Sequence, residues 1–368
     1  MTRFPYDSAW GGEESHTLLL AKYFRTLGYV VIFMGNCPTL LRHFSKEGFP
    51  TKKISGGKMV VTPWELLKSL FLNPVWTRNM RLGFDDLLHE YDVQALYCLS
   101  LNEKLFLTSY AGRFGVPVTW VEHQEIRNWL LKSPWRFLYQ KQARLAKIVP
   151  ISPKNKSVLL KELHIPAKNM VNIVNGVVLN AFKGTTRKTQ KNLIVSSNRL
   201  IPKKGMMDFL QAVKILFEKG IKFRVQVFGE GEEYGRVSTF IQDELGGVAL
   251  EFSPFLSKEV WQNTLLEADV YVSSARDTNE TFSLATAEAL AAGCKVVVTK
   301  CSGIANYLED EKEAFLADPK NPEALADLIE RALEADESMR EKAQQAAASK
   351  FDQVRMLEQY EKLILRSV

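Results

Sequence analysis

The sequence predicts an α/β protein of two domains, each with a parallel β-sheet covered by helices, and three observations support this prediction. The chain has 368 residues, about twice the size of a typical domain. Hydrophobic residues make up 46% and charged residues 24% of it, ordinary values for a chain with a substantial core. Short apolar runs alternate with amphipathic stretches along both halves, as strands and helices do in parallel sheets.

In the N-terminal half, a first helix is predicted from Glu13 to Leu27, because Leu18, Leu19 and Tyr23 recur at helical spacing and Gly28 follows as a stop. Only four residues precede the glycine-rich turn before this helix. We therefore expect a central first strand that is very short, as if clipped. Four apolar runs predict the other buried strands, at 29–35, 95–100, 117–123 and 147–152.

A polar, basic segment at 175–192 separates this half from a second series of strands. The predicted organisation is a first domain at 1–175, a linker at 176–192, a second domain at 193–350 and a final helix at 351–368. Both domains are expected to be Rossmann-like. The strands predicted in the second domain lie at 192–198, 223–229, 249–255, 269–275, 295–300 and 313–318.

Several classes of protein are disfavoured by what the sequence lacks. No apolar run is long enough for a membrane span, and the N-terminus has no basic start followed by an apolar core, so we expect no cleaved secretory signal. The four cysteines have no spacing typical of a zinc site. We expect free thiols in the cytoplasm. These cysteines are Cys37, Cys98, Cys294 and Cys301.

The charge is concentrated in the N-terminal half. Residues 1–170 hold 23 lysines and arginines against 13 aspartates and glutamates, a net charge of +10, and the rest of the chain is net −4. This asymmetry favours an anionic partner for the first half, although a solvated basic surface explains it equally well. Two stretches, 64–81 and 126–147, mix Trp, Phe and Leu with Lys and Arg. They predict peripheral contact with an anionic membrane; the alternative is helices that bury their aromatic faces.

Two glutamates eight positions apart, Glu280 and Glu288, form the most informative pattern. If a helix begins near Phe282, Glu280 precedes it and Glu288 lies inside it, roughly 12 Å further along at 1.5 Å per residue. That separation is about the length of a sugar diphosphate. The helix N-terminus between them offers unpaired N–H groups to an anion, and the carboxylates can accept bonds from hydroxyls. The alternative is an ordinary acidic helix start.

Two further groups of residues fit a phosphate-bearing ligand. Arg199 and Lys204 stand five positions apart at the turn from the first strand to the first helix of the second domain. Two cations there would neutralise a leaving diphosphate. Gly11 and Gly12 directly precede the first helix, where glycines allow close approach of a ligand to the backbone. A plain loop is the alternative. The nucleotide-binding patterns GxGxxG and GxxxxGK[ST] are absent.

Together these features resemble the retaining glycosyltransferases of family 4, also called glycosyl transferases group 1, which have the two-domain GT-B fold. The resemblance implies two Rossmann-like sheets that face each other across a cleft and a C-terminal helix that returns to the first domain. It covers nearly the whole chain. The matching segments are GGEESHTLLLAKYFRTLGYVV, VEHQE, IVPISPKNKSVLLKELHIPAKNMVNIVNGV, SNRLIPKKGMMDFLQAV, FGEGEE, LLEADVYVSSARDTNETFSLATAEALAAG and SGIANYL.

The resemblance also implies roles for matching residues. Glu280 would bind donor-sugar hydroxyls, Glu288 the ribose, and Arg199 with Lys204 the diphosphate. His123 matches a histidine near the reacting sugar. The implied catalytic residues are Glu280, His123, Arg199 and Lys204. The implied donor-binding residues are Gly11, Gly12, Arg199, Lys204, Gly229, Glu280, Thr281, Phe282, Ser283, Leu284 and Glu288.

The predicted activity is transfer of a hexose from a UDP- or GDP-linked sugar to an acceptor hydroxyl with retention of configuration, in the assembly of a cell-surface polysaccharide or glycolipid. No cofactor is expected, and the lack of an Asp-x-Asp motif favours a metal-independent site. The expected partners are a nucleotide sugar and a glycan or lipid-linked acceptor at the inner face of the membrane, with no nucleic acid. The alternatives are a sugar-nucleotide epimerase and a degenerate binding protein. The degenerate binding protein is favoured by Thr281 and Ser283, which stand where the family has glycines.

Overall fold

The structure is a computed structural model that describes residues 1–4, 11–55, 63–123, 126, 128–182, 190–277, 280 and 282–365, with all their side chains except those of 63–73 and 128. The chain forms two compact units. The N-terminal unit comprises Met1–Ile173 together with Leu357–Val368, and the C-terminal unit comprises Val174–Met356.

The N-terminal unit contains a six-stranded sheet in the order β3-β2-β1-β4-β5-β6. Every neighbouring pair of strands is parallel. The two-residue strand β1 lies at the centre of this order, so the very short central strand expected from the sequence is present. The strands are β1 Thr2–Arg3, β2 Phe33–Gly35, β3 Thr51–Lys53, β4 Leu96–Cys98, β5 Val118–Glu122 and β6 Lys147–Pro150.

Helices cover both faces of this sheet, as parallel strands buried on both sides require. The sequence-predicted first helix is α1, which begins after Gly11 and ends just before Gly28, a residue with φ 89°. The helices are α1 Gly12–Thr26, α2 Pro38–Lys46, α3 Pro63–Glu90, α4 Leu101–Gly112, α5 Asn128–Lys132, α6 Trp135–Ala143 and α7 Pro153–Ser157.

The C-terminal unit contains a second six-stranded parallel sheet, in the order β12-β11-β10-β7-β8-β9. Its strands are β7 Leu193–Ser197, β8 Arg224–Phe228, β9 Ala249–Ser253, β10 Val270–Ser273, β11 Lys295–Thr299 and β12 Phe315–Ala317. Its helices are α8 Met206–Glu218, α9 Tyr234–Glu244, α10 Lys258–Glu267, α11 Leu284–Ala292, α12 Pro322–Glu334 and α13 Glu337–Lys350. The central strands are buried along their length because helices pack on both faces.

The last helix, α14 Gln353–Leu365, returns to the N-terminal unit, as the sequence predicted. Its first four residues belong to the C-terminal unit, and the rest pack in the N-terminal unit. Tyr360 is fully buried there, and Glu361 accepts a 2.6 Å hydrogen bond from the Tyr23 hydroxyl of α1.

Residues 176–182, predicted as the start of a linker, pack instead within the C-terminal unit. Val177 forms a parallel bridge with Asp352, and both Val177 and Phe182 are buried in the core of that unit. Apolar side chains within this polar segment anchor it, so the first domain ends within two residues of the predicted position 175, whereas the predicted linker is part of the C-terminal unit as far as 182. The remainder of the predicted linker, 183–189, lies outside the described residues.

No helix in the described part of the chain is both long and apolar enough to cross a membrane.

Candidate functional site

The carboxyl ends of strands β7 and β10 mark the candidate site in the C-terminal unit. These strands are neighbours in the sheet, and the chain order runs outward from them in both directions, so this edge is a topological switch point. Ligands of open α/β sheets bind at such points. The loop after β7 carries Arg199 and Lys204, and the loop after β10 leads to Glu280.

Lys204 and Glu280 meet at this edge although 76 residues separate them. The Lys204 Nζ atom donates a 2.5 Å hydrogen bond to Glu280 Oε1, and the Glu280 side chain is 5% exposed. The Gly303 N–H donates to the Glu280 carbonyl at 2.8 Å. The predicted cation and the predicted sugar-binding carboxylate therefore form one ion pair, with the Glu280 backbone fixed from the segment after β11.

The second carboxylate oxygen of Glu280, Oε2, is buried and has no hydrogen-bond partner among the described residues. Three other buried side-chain atoms at the ends of adjacent strands share this property: Asn198 Nδ2 after β7, Ser273 Oγ in β10 and Ser302 Oγ after β11. Buried polar atoms normally have a partner, and leaving one unpaired costs about 1–3 kcal/mol. Their concentration at one edge of the sheet indicates a surface that completes its hydrogen bonds with a ligand.

Glu288 lies on the second turn of α11, as the eight-residue spacing predicted. Its Oε2 atom accepts a 2.8 Å hydrogen bond from the indole Nε1 of Trp261 on α10. Burial raises the pKa of Glu288, while the Trp261 hydrogen bond and the charge of Lys258 act in the opposite direction. Trp261 thus orients a desolvated carboxylate, a role that the sequence did not reveal because no spacing connects the two residues.

Helix α11 begins at Leu284, two residues later than predicted, with Ser283 as its N-cap. The Ser283 hydroxyl accepts from the Thr286 N–H at 3.3 Å, which satisfies one of the N–H groups that open the helix. Phe282 is half-buried, with its ring 5.5 Å from the ring of Phe351. Thr281, also predicted to contact the donor, lies outside the described residues.

Two glycines allow the backbone to pack tightly around this edge. Gly205 has φ 69°, and a Cβ atom there would lie 1.9 Å from the carbonyl oxygen of Ser274. A Cβ on Gly229 would lie 2.2 Å from the carbonyl oxygen of Asn198. Gly229, predicted as a donor-binding residue, is therefore required for the close approach of the loops after β7 and β8. Arg199 is exposed at the same edge.

In the N-terminal unit, the predicted glycines lie at the start of α1. Gly11 is its N-cap and Gly12 its first residue. Glu13 and Glu14 follow in the first turn, and both form ion pairs with the buried Arg3 at the end of β1, at 3.3 and 2.7 Å. The first turn of α1 is therefore fixed to the centre of the sheet.

His123 follows β5 at the carboxyl edge of this sheet. Its ring centroid lies 4.9 Å from that of His16 on α1, at an interplanar angle of 73°. Burial lowers the pKa of His123 well below its ordinary value, and His16 and Lys104 act in the same direction. Lys104 is itself buried, with its Nζ atom 2.9 Å from Glu122 Oε1. His123 is therefore a neutral imidazole near pH 7, able both to donate and to accept a hydrogen bond.

Comparisons with known proteins identify similar sequences and a shared fold. Residues 179–350 match the family model described as glycosyl transferases group 1. The chain is 32% identical over 137 residues to WcaL of Escherichia coli strain K12, whose name links it to colanic acid biosynthesis. That match covers 36% of this chain and 34% of WcaL. The chain thus spans about a third of the length of such relatives.

Other proteins match over nearly the full length. The phosphatidyl-myo-inositol mannosyltransferase of Mycobacterium tuberculosis is 24% identical over 365 residues, which cover 93% of this chain and 89% of that protein. The crystal structure of Anabaena Alr3699/HepE in complex with UDP superposes with a TM-score of 0.79 at 16% identity and covers both chains completely. Residues 179–350 are therefore similar to the glycosyl transferases group 1 family, and the chain has the GT-B fold with two Rossmann-like parallel sheets.

Proposed function

We propose that this protein is a retaining glycosyltransferase that moves a hexose from a UDP- or GDP-linked sugar to an acceptor hydroxyl. The observation that carries the proposal is the buried Glu280 carboxylate, one oxygen of which pairs with Lys204 while the other has no partner among the described residues. A sugar hydroxyl is a donor that such an oxygen accepts. A phosphate oxygen is the anion that Lys204 would bind alongside it.

The chemistry follows from these charges. The bond between the anomeric carbon and the diphosphate oxygen breaks, and Arg199, Lys204 and the N-terminus of α11 stabilise the negative charge that develops on the diphosphate. The acceptor oxygen bonds to the same face of the sugar, and its proton passes to the departing phosphate, so configuration is retained. Glu288 would hold the ribose. This route needs no metal ion and no enzymic nucleophile.

We propose roles for three residues of the N-terminal unit as well. The backbone at Gly11 and Gly12 would approach the phosphate, and the neutral His123 imidazole would hydrogen-bond to the sugar beside the bond that breaks. Phe282, Ser283 and Leu284 would present the backbone N–H groups of the α11 start to the sugar and the diphosphate, with Thr281 adjacent to them.

The relatives support a place for this reaction in cell-surface polysaccharide or glycolipid assembly. WcaL is named for colanic acid biosynthesis, AmsK of Erwinia amylovora for amylovoran biosynthesis, and the mycobacterial protein for transfer to phosphatidyl-myo-inositol. Anabaena HepE has been crystallised with UDP-glucose. We propose a glycan or lipid-linked acceptor for this chain, used at the inner, cytoplasmic face of the membrane.

Helix α6 supplies the surface by which the protein would contact that membrane. Phe137 is 73% exposed and Leu145, just beyond the helix, is 57% exposed, with the exposed Lys141 and Arg144 between them. From 126 to 161 the chain has nine lysines and arginines and no acidic residue. Exposed apolar side chains surrounded by cations fit an interface with anionic lipids. In the other predicted stretch, Val75 and Leu82 of α3 are exposed, at 55% and 50%, and the side chains of 64–73 lie outside the described residues.

Nucleotide binding tests the donor site. Thermal-shift titrations with UDP, GDP, ADP and CMP, followed by the sugar forms of the nucleotide that binds, identify the donor, because a ligand of the native state raises the melting temperature. Glu280→Gln should weaken binding of the nucleotide sugar more than that of the free nucleotide, and Glu288→Gln should weaken both. Glu244→Gln, on the exposed surface of α9, is the control.

If no nucleotide raises the melting temperature of the wild-type protein, the proposal is wrong. Binding without transfer identifies a degenerate protein, and conversion of the donor without an acceptor identifies an epimerase.

Vesicle flotation tests the membrane contact. We expect the wild-type protein to float with phosphatidylglycerol vesicles at low salt and to lose this binding at high salt. It should not bind phosphatidylcholine vesicles. The double variant Phe137→Ala, Lys141→Glu should remain unbound. Phe217→Ala, which removes a 43% exposed phenylalanine from the C-terminal unit, should bind normally. Failure of the wild-type protein to float with the anionic vesicles contradicts the proposal.

A further inference from the structure

Three aromatic rings from distant parts of the chain pack in series inside the N-terminal unit. The ring of His16, on α1, lies 4.9 Å from that of His123 after β5 and 5.2 Å from that of Tyr360 on α14. The interplanar angles are 73° and 65°, both edge-to-face arrangements. His16 is therefore the central ring, between the candidate catalytic histidine and the C-terminal helix.

Packing, rather than hydrogen bonding, sets the orientation of His16. The residue is 7% exposed, and neither ring nitrogen has a hydrogen-bond partner among the described residues. Burial lowers the pKa of His16 to about 4, so the ring is neutral near pH 7. A neutral ring without hydrogen bonds is restrained only by its neighbours, which here include the rings of His123 and Tyr360.

Tyr360, in contrast, is firmly held. It is fully buried, and its ring centroid lies 6.4 Å from that of Tyr97 on β4. The next residue, Glu361, accepts the 2.6 Å hydrogen bond from Tyr23, two turns along α1 from His16. Helix α14 is thus fixed on α1 by two adjacent residues, and only one of them, Tyr360, contacts His16.

We propose that Tyr360 is a positioning residue: its ring holds His16 against His123 and thereby fixes the imidazole that the proposed function places beside the reacting sugar. The ring contacts stand on the structure alone, whereas their catalytic consequence rests on the proposed function. Because the contact is made by the ring, the tyrosine hydroxyl is dispensable for this role.

Nuclear magnetic resonance of the imidazole groups tests the contact without any substrate. The chain has five histidines, so their ring signals can be assigned with one His→Gln variant for each. Tyr360→Ala should move the signals of His16 and His123, and Tyr360→Phe should leave both close to their wild-type positions. Tyr23→Phe, which removes the neighbouring α1–α14 hydrogen bond, is the matched control. Should Tyr360→Ala fail to fold, Tyr360→Leu retains most of the buried volume and is tested in its place.

Kinetics test the consequence, with the sugar nucleotide that the titrations identify. We expect Tyr360→Ala or Tyr360→Leu to lower kcat about tenfold while the KM for the donor stays unchanged, and Tyr360→Phe to restore the rate. In a His123→Ala background the Tyr360 substitution should have no further effect on kcat, since it acts through that ring.

The outcomes separate this proposal from the proposed function. If the folded Tyr360 variant leaves the His123 signals unmoved, or lowers kcat no more than Tyr23→Phe does, the positioning role is wrong. If the signals move as expected but no nucleotide sugar is bound or turned over, the ring contact stands and the proposed function fails.

Discussion

At Glu288 a single hydrogen bond from Trp261 orients a carboxylate that burial would otherwise protonate more readily. We predict that Trp261→Phe weakens binding of the nucleotide about tenfold, because a hydrogen bond to a charged group contributes about 1.5 kcal/mol or more. The loss should increase as the pH falls from 7.5 to 5.5, since the variant also loses an interaction that lowers the pKa of Glu288. Isothermal titration calorimetry across this range measures both effects. Equal affinities of variant and wild type at every pH would contradict the assigned role.

His16 gives the protein a pH-dependent stability of predictable sign. Its pKa is about 4 in the folded protein and about 6.5 in an unfolded chain. The unfolded state therefore binds more protons between these values, and the free energy of unfolding falls as the pH decreases through that window. The loss between pH 7 and pH 5 is on the order of 2 kcal/mol for this residue. Urea denaturation at the two pH values should show a smaller decrease for His16→Phe than for the wild type.

The sequence predicted the types and approximate positions of the candidate residues, but not their partners. Glu280 and Lys204 were each expected near a phosphate or sugar, and the fold joins them directly. The pairing of Trp261 with Glu288, and the Asn198 Nδ2 atom that has no partner among the described residues, depend on how segments far apart in the chain pack. No spacing or composition encodes such contacts.

Among the elements, the turn between β7 and α8 is sensitive to a single added carbon. Gly205→Ala places a Cβ 1.9 Å from a backbone carbonyl oxygen at a position with φ 69°. We predict a loss in the free energy of unfolding of about 3 kcal/mol or more, the sum of a backbone penalty and a clash. Gly220→Ala is the control, because its φ is 77° and nothing lies within 4 Å of the added carbon. It should cost only about 1 kcal/mol. Chemical denaturation of both variants measures the difference, and equal losses would show that the clash is relieved.

Burial explains only part of which strands were predicted: β2 is fully buried, yet it begins four residues after its predicted start at 29, and Tyr29 and Val30 are exposed. Strands such as β11, with every residue buried, appear in the sequence as continuous apolar runs and were predicted within a residue or two. Strand β3 was not predicted, because its sequence Thr-Lys-Lys is polar and lies at the exposed edge of the sheet. Helix α11 begins two residues after its predicted start near Phe282. The Ser283 hydroxyl caps the helix, and a residue that caps a helix lies outside it rather than in its first turn.

For the whole molecule, the last residues matter more to the first unit than to the second. Leu357, Tyr360, Leu363 and Ile364 are all buried within the N-terminal unit. We predict that deletion of 357–368 lowers the stability of that unit and leaves the sheet of the C-terminal unit protected. Hydrogen exchange resolved by peptide distinguishes the two responses. Val354→Ala, at an exposed position near the start of α14, serves as the control and should leave both units unchanged. Uniform loss of protection across the chain would contradict the prediction.

Two units were predicted, and the predicted end of the first domain at 175 lies two residues from the boundary in the structure, but the residues assigned to a linker from 176 onward belong to the second unit at least as far as 182. The change in composition at 175–192 pointed to a linker, whereas Val177 and Phe182 join the core of the second unit. The reason is physical: the hydrophobic effect acts on individual side chains, so a segment that is polar on average can still be anchored by two buried residues.

The discontinuous N-terminal unit has a consequence for how the protein is made. A ribosome synthesises the chain from its first residue, so the C-terminal unit, which ends at Met356, emerges before the N-terminal unit has received its last helix. The ring of Tyr360 reaches His16 only after the whole C-terminal unit has been synthesised. A nascent chain that stalls near residue 350 would therefore carry a nearly complete second sheet and an N-terminal unit that lacks α14, and the candidate catalytic histidine would acquire its final packing only after the C-terminal unit has been made.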